Sequence, residues 1–326
     1  MPYCRHASGF LKQAHIMSNS HPTAGAPGHS RALLRRLLPG KLSPYVWFIV
    51  PALVALLAII VFPWGFTLWM SLFDWKIGSD ATFVGLANYL SLAQDTRFLE
   101  AIMHTLYFTV LAVVLPLIFG TIAALVFNRK FPLRGMLRGM FLLPMMATPV
   151  AISLVWTMMF HPQQGVLNYL LSLLGIAPSE WVYSSALAIP CLVLVDVWQW
   201  SPLVMLIVLG GLASLPTDPF EAAKLEGASS WQIFRHITLP MVLPFVMVAA
   251  VVRLIDALKT FDTIYVITQG GPGTASETIN LYLYLQAFSF YQIGKASAVV
   301  VVFFVLVVAL SLVLFWLRER SKWSDA

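Results

Sequence analysis

The sequence predicts an all-α membrane protein with six transmembrane helices, and three observations lead there. Apolar residues fill 59% of the 326 positions and charged ones only 10%, against about 45–50% and about 25% in soluble domains. Six apolar runs are long enough to cross a bilayer, which takes about 20 helical residues. Lysine and arginine fall almost entirely on alternate loops. A mean hydropathy of +0.82 agrees with all three. So few charges cannot cover a soluble surface, which excludes a water-soluble enzyme, a disordered chain and a nucleic-acid binder despite a pI near 9.4. The net charge of +6 fits basic loops lying against anionic lipid.

Residues 1–43 read as a cytosolic basic tail. No apolar run begins before Tyr45, so no cleavable signal peptide is expected, and Met17 is a second candidate start. Residues 18–30 have linker composition. Residues 31–41 carry Arg31, Arg35, Arg36 and Lys41 among leucines, which suits either a short surface helix or an unstructured basic anchor. The spans are expected near 45–73, 102–127, 139–160, 187–213, 241–267 and 296–317. This divides the chain into a first helix with its outer loop (44–101), a five-helix transmembrane domain (102–318) and a cytosolic end (319–326). Pro51, Pro63, Pro116, Pro144, Pro149, Pro190 and Pro202 fall inside the runs, so kinked helices around a protein interior are expected.

Orientation follows from loop charge. The tail, the 128–138 loop, the 214–240 loop and the end from Arg318 hold 15 Lys and Arg residues, whereas the alternate loops hold only Lys76 and Arg97. That bias places both termini in the cytoplasm. Trp47, Trp64, Trp69, Trp75, Trp316 and Trp323 lie near span ends, as interfacial belts do. The 13 methionines read as gap-filling core. Cys4 and Cys191 form neither a disulfide framework nor a metal-ligand spacing.

The chain has no phosphate loop, no zinc-binding H-E-x-x-H and no nucleophile elbow, so ATP hydrolysis is not expected of it. The 214–240 loop reads as two short helices. Asp218 is the expected cap of the first, with Pro219 at its first position and Glu221 completing a capping box. Gly227 supplies a left-handed stop, Ser229 and Gln232 offer a second box, and Pro240 follows the second helix. A helix of about eight residues is not stable alone in water and needs a surface to dock on.

Glu221-Ala222-Ala223, Gly227 and Ile237-x-Leu239-Pro240 resemble the EAA loop of bacterial ABC importer permeases at that family's spacing. Further stretches widen the resemblance to carbohydrate-uptake permeases over roughly residues 45–318. They are Phe83 to Tyr89, His104 to Thr109, Leu143-Pro144 with Trp156, Gly165-x-x-Asn168, and Phe261-Asp262 through Tyr265 and Thr268 to Gly270-Gly271-Pro272-Gly273. The resemblance implies a type I (MetI-like) importer architecture in the bacterial inner membrane. It implies that Glu221, Ala222, Ala223, Gly227, Ile237, Leu239 and Pro240 form the element that docks in a groove of an ABC ATPase dimer, with ATP and Mg held there and no cofactor in this chain. It further implies a second permease subunit completing the pore, membrane lipid around it, and an extracytoplasmic sugar-binding protein that meets outer loops including Gly270 to Gly273.

Arg253, Asp256, Lys259 and Asp262 stand at successive i, i+3 positions in the fifth run, and Asp196 lies in the fourth within Asp196-Val-Trp-Gln-Trp-Ser201. An unpaired charge near mid-bilayer costs at least about 3 kcal/mol, so these residues must line protein or water. Two readings stay open. Asp196, Gln199, Arg253 and Asp256, with Trp198 or Trp200 offering an apolar face, line a substrate path; or the charges form an interhelical network or gate, to which Lys259 and Asp262 belong more readily. A proton-coupled carrier using Asp196 and Asp256 is the runner-up mechanism, and an intramembrane enzyme lacks a catalytic dyad or metal triad. Which sugar or polyol is carried is not legible.

Overall fold

The computed structural model describes residues 46–321, so the basic tail, its linker and residues 322–326 lie outside the described residues. The chain divides after Ile60 into two units. Of the first, the described part is the opening of helix α1 (Val46–Met70), whose side chains from Phe48 to Ile60 are all exposed, as suits lipid.

The second unit holds the rest. After α1 come a two-residue strand pair, β1 (Phe73–Asp74) and β2 (Thr82–Phe83), antiparallel with Phe73 opposite Phe83. Helices α2 (Ala87–Gln94), α3 (Thr96–Asn128), α4 (Arg134–Met146), α5 (Pro149–Met159), α6 (Val166–Leu173) and α7 (Ala188–Ala213) follow. Beyond them lie α8 (Asp218–Leu225), α9 (Ser230–Ile233), α10 (Leu239–Leu258), α11 (Asp262–Ile267), α12 (Ile279–Tyr284) and α13 (Ile293–Ser321). Among the described residues five helices are long and apolar enough to cross a membrane, and a sixth span is α4 with α5 counted together.

In that sixth span the kink expected of its prolines is sharp enough to break the helix: α4 and α5 meet at 97°. Proline forces the residue before it out of the helical region, and Ala147 and Thr148 are accordingly extended (ψ 149° and 141°) ahead of Pro149, the first residue of α5. Pro116, Pro144, Pro202 and Pro244 stay inside their helices. The motif Gly165-x-x-Asn168 proves structural. The buried Asn168 amide donates to Pro162 O and Ser179 O and accepts from Ser179 N and the Trp181 indole, so all its groups are used.

The core lies between α3, α7 and α10. Phe108 and Ala112 of α3, Leu192 and Val195 of α7, and Leu254 and Leu258 of α10 belong to one buried cluster. Gly120 permits the α3–α7 approach: a Cβ there would lie 2.6 Å from Val204 Cβ and 2.7 Å from Ser201 O. Overpacking of this kind costs about 1–3 kcal/mol. Gly120→Ala should therefore lower the melting temperature in detergent. Gly210→Ala, whose Cβ would meet nothing within 4 Å, should not. Equal melting of the two variants would show that α3 and α7 are not in contact here.

At the end of the bundle remote from the 214–240 loop, polar links tie the elements together. Asn88 donates to Ser71 O and Phe73 O, both at 2.9 Å. Asp95 caps α3 at Phe98 N, and it accepts from the Tyr282 hydroxyl at 2.7 Å and Lys295 Nζ at 2.8 Å. Burial pushes the Asp95 carboxyl up, but the Lys295, Tyr282 and Phe98 hydrogen bonds outweigh it, and the pKa lies below the ordinary value.

Candidate functional site

Two places concentrate unusual chemistry. The first is a cavity of about 350 Å³ among the membrane-spanning helices. Its wall is formed by Pro149 at the α4–α5 bend, Asp196, Gln199 and Trp200 of α7, and Arg253 and Asp256 of α10. Lys259 to Thr263, where the fifth span breaks, complete it. Arg253 is 1% exposed and Asp196 is 3% exposed. Arg253 Nη2 lies 2.6 Å from Asp196 Oδ2 and 3.1 Å from Ala112 O, so one guanidinium joins α10, α7 and α3. Arg253 Cζ also stands 5.4 Å from the Trp200 ring centroid, within cation–π range. The buried Nε of Arg253 has no hydrogen-bond partner among the described residues. Gln199, buried, reaches toward Ala147 O at the bend, at a long 3.5 Å.

The wall thus offers an indole face, an amide and carboxylates: apolar surface plus hydrogen-bonding groups with fixed directions, the composition of a small-molecule site. Among the described residues no group of three or more His, Cys, Asp and Glu could hold a metal ion.

The second place is the 214–240 loop. Helix α8 buries none of its residues. Glu221, Ala222 and Lys224 are exposed, Ala223 is half-buried, and Leu225 is 91% exposed. Gly227 takes φ +80°, the left-handed stop. Ser229 and Gln232 close a reciprocal capping box, and Trp231 next to them is 66% exposed. One short loop thus exposes both a leucine and a tryptophan.

Residues 116–322 match a family profile described as binding-protein-dependent transport system inner membrane component. The chain belongs to this family. The permease is similar to relatives along most of its length. It is 37% identical over 291 residues to the probable ABC transporter permease protein y4oQ of Sinorhizobium fredii, covering 88% of this chain and 94% of that one. It is 37% identical over 269 residues to the trehalose/maltose transport system permease protein MalF of Thermococcus litoralis, covering 81% and 90%. In fold it resembles a chain of a bacterial ABC transporter involved in import of the acidic polysaccharide alginate, with TM-score 0.76 at 20% identity, covering 89% of the permease and 99% of that chain. The all-α, MetI-like importer architecture expected from the sequence is therefore the one observed.

Several expectations need correction. Asp218 is not the cap of α8: Thr217 occupies that position without a side-chain cap bond, and Asp218 and Pro219 are the first two helical residues. The second loop helix does not end before Pro240. Instead α9 continues through a π-turn (Phe234–Thr238) into α10, giving one 29-residue helix from Ser230 to Leu258. Ile237 is half-buried in that turn, and Leu239 and Pro240, both exposed, open α10 beyond it. Inside this continuous helix Pro240 has no N–H to donate, and a π-turn directly before it is the kind of local adjustment by which a spanning helix accommodates a proline.

The charge ladder also differs. Helix α10 ends at Leu258, so Lys259 is its cap and Asp262 begins a separate helix. Arg253 pairs across helices with Asp196 and not with Asp256, three residues on. Asp256, Lys259 and Asp262 line the cavity without an ion pair among the described residues. Of the two tryptophans, Trp200 lines the cavity. Trp198 lies outside its wall, 46% exposed and edge-on to Trp156 at 5.7 Å. The turn of Gly270, Gly271, Pro272 and Gly273 is held by Ser276, whose hydroxyl donates to Gly271 O at 2.7 Å and whose N–H donates to Gly270 O at 3.0 Å.

Sequence reasoning missed Leu225, whose signal was an apolar residue at i+4 from Glu221 on a short polar helix. It also missed Pro149, Thr260, Phe261 and Thr263 as cavity wall, because nothing local marks the break that gathers the last three.

Proposed function

We propose that the permease is half of the pore of an ATP-driven importer for a sugar or polyol. The observation that carries this reading is the cavity, which sets the Trp200 face beside Gln199, Asp256 and the Asp196–Arg253 pair inside the spanning helices. An aromatic face suits the C–H side of a sugar ring, and amide and carboxylate oxygens suit its hydroxyls. A second permease subunit closes the other side of the path. An ATPase dimer carrying ATP and Mg grips α8 from the cytoplasm, with Glu221, Ala222, Ala223 and Gly227 setting the geometry of the grip. A solute-binding protein docks on the opposite face, where the Gly270 to Gly273 turn lies, and the loop charge bias puts both termini on the ATPase side of the inner membrane.

Alternating access then follows. The ATPases close on ATP and push α8, and the cavity turns outward to receive solute; hydrolysis resets it. The proton-coupled alternative loses its ground, since the family is binding-protein-dependent and Asp196 is engaged by Arg253.

The test is purification of the tagged chain from its native membrane, with uptake assays on a strain lacking it. Co-purification of a second permease and an ATPase is expected, with uptake of one labelled sugar or polyol (maltose, trehalose, glycerol 3-phosphate or a hexitol) falling to background. Unchanged uptake of every such solute, with the complex intact, would sink the carbohydrate reading.

A further inference from the structure

The fifth span breaks at Lys259–Phe261 without a proline or glycine, and the break forms much of the cavity wall. The last carbonyls of a helix lack partners within it and must find them elsewhere. Asp256 O and Ala257 O take the Lys259 and Thr260 N–H groups, whereas Leu258 O, the last of the helix, is taken by a side chain: Asn280 Nδ2, from the first turn of α12, donates to it at 2.8 Å and to Thr260 O in the break at 3.3 Å.

Asn280 ends a strut that starts at the Gly270–Gly273 turn. Ser276, Glu277, Thr278 and Ile279 are all buried. Glu277 Oε2 meets Arg97 Nε at 2.8 Å, its carbonyl meets His104 Nδ1 at 3.2 Å, and Thr105 Oγ1 accepts from Ile279 N at 2.9 Å. Ser276 grips the turn at the other end, through Gly270 O, Gly271 O and Thr268 Oγ1. A close-packed buried segment does not deform gradually under load, so a displacement of the turn is passed along it. At its far end the Asn280 amide is the side chain that holds the Leu258 and Thr260 carbonyls.

We infer that Asn280 is a positioning residue through which docking of the solute-binding protein on the Gly270–Gly273 turn acts on the cavity wall at Lys259–Thr263. The inference rests on the importer reading above. The amide holds the break in its observed form; a docked partner moves the strut, and the strut moves the two carbonyls and the wall they belong to. Asn280 touches no substrate. Its effect is on how strongly the docked partner accelerates the ATP cycle.

The experiment uses the whole complex co-purified through this chain and reconstituted in nanodiscs, with the solute-binding protein isolated from the same cells. ATP hydrolysis is measured with and without it. Wild type sets the stimulation ratio, and Asn280→Ala and Asn280→Asp are compared with it. Asp keeps the shape but cannot donate when ionised. Both variants should lose about tenfold of the stimulation, within the usual range for coupling between sites, while basal hydrolysis and affinity for the binding protein stay within twofold. Stimulation retained by Asn280→Asp would overturn the inference. So would loss of assembly or of basal hydrolysis in both variants, which would make Asn280 a folding residue only. If wild type itself shows no stimulation, the importer reading fails, a result distinct from either.

Discussion

Asp196→Ala and Arg253→Ala should each destabilise the permease by about 3–5 kcal/mol, the usual consequence of stranding one member of a buried ion pair. Both side chains are almost completely buried. With Arg253 Nε unpartnered among the described residues, the Asp196 carboxylate, Ala112 O and the Trp200 face carry the compensation for that charge. Removing Asp196 leaves a guanidinium held by one carbonyl and the Trp200 face. The double variant Asp196→Leu/Arg253→Met should lose much less than either single one, because apolar replacement of a whole pair is often neutral. Thermal unfolding in detergent reads all three. Asp256→Asn is the contrast: half-buried, lining the cavity and without an ion pair among the described residues, it should melt as wild type does while uptake changes. Singles within about 1 kcal/mol of wild type would show that the pair does not hold α3, α7 and α10 together.

The same residues show what a sequence can disclose. Arg253, Asp256 and Asp196 stand out in apolar runs because charge in a bilayer demands a partner, so the constellation is visible in the order of residues alone. Its pairing is not. The i, i+3 spacing offers Asp256 to Arg253, yet the partner is Asp196, 57 residues away, because the α7–α10 packing brings that carboxylate closer. The bend at Thr148–Pro149 is legible, since proline dictates the backbone before it. The break after Leu258 is not, since the side chain that takes up its last carbonyl is Asn280, 22 positions on. Gly227 is legible for a local reason, the positive φ that only glycine adopts freely. The fate of the second loop helix is not, because a π-turn lets it run into the span where the caps and Pro240 suggest a stop.

A single charge at Leu225 should uncouple the permease from its motor. Helix α8 has eight residues and buries none of them, so its own turns cannot keep it folded in water. What keeps such a helix worth having is a partner, and Leu225 is the apolar group it has to offer, 91% exposed and one turn beyond Glu221 on the same face. Apolar anchors that fill a partner's pocket are worth about 2 kcal/mol or more on truncation, or about thirtyfold in affinity. Leu225→Asp adds the desolvation of a carboxylate to that loss. Co-purification of the ATPase should fall to trace levels and uptake with it, while the variant inserts in the membrane and melts as wild type does, since nothing in the fold leans on Leu225. Lys224→Ala, also exposed on the same helix but offering no apolar anchor, should keep both the ATPase and uptake. Gly227→Val should fall between them: a β-branched residue at φ +80° costs about 1–2 kcal/mol and tilts α8 without removing its anchor. If Leu225→Asp retains the ATPase at wild-type stoichiometry, α8 is not the surface that is gripped.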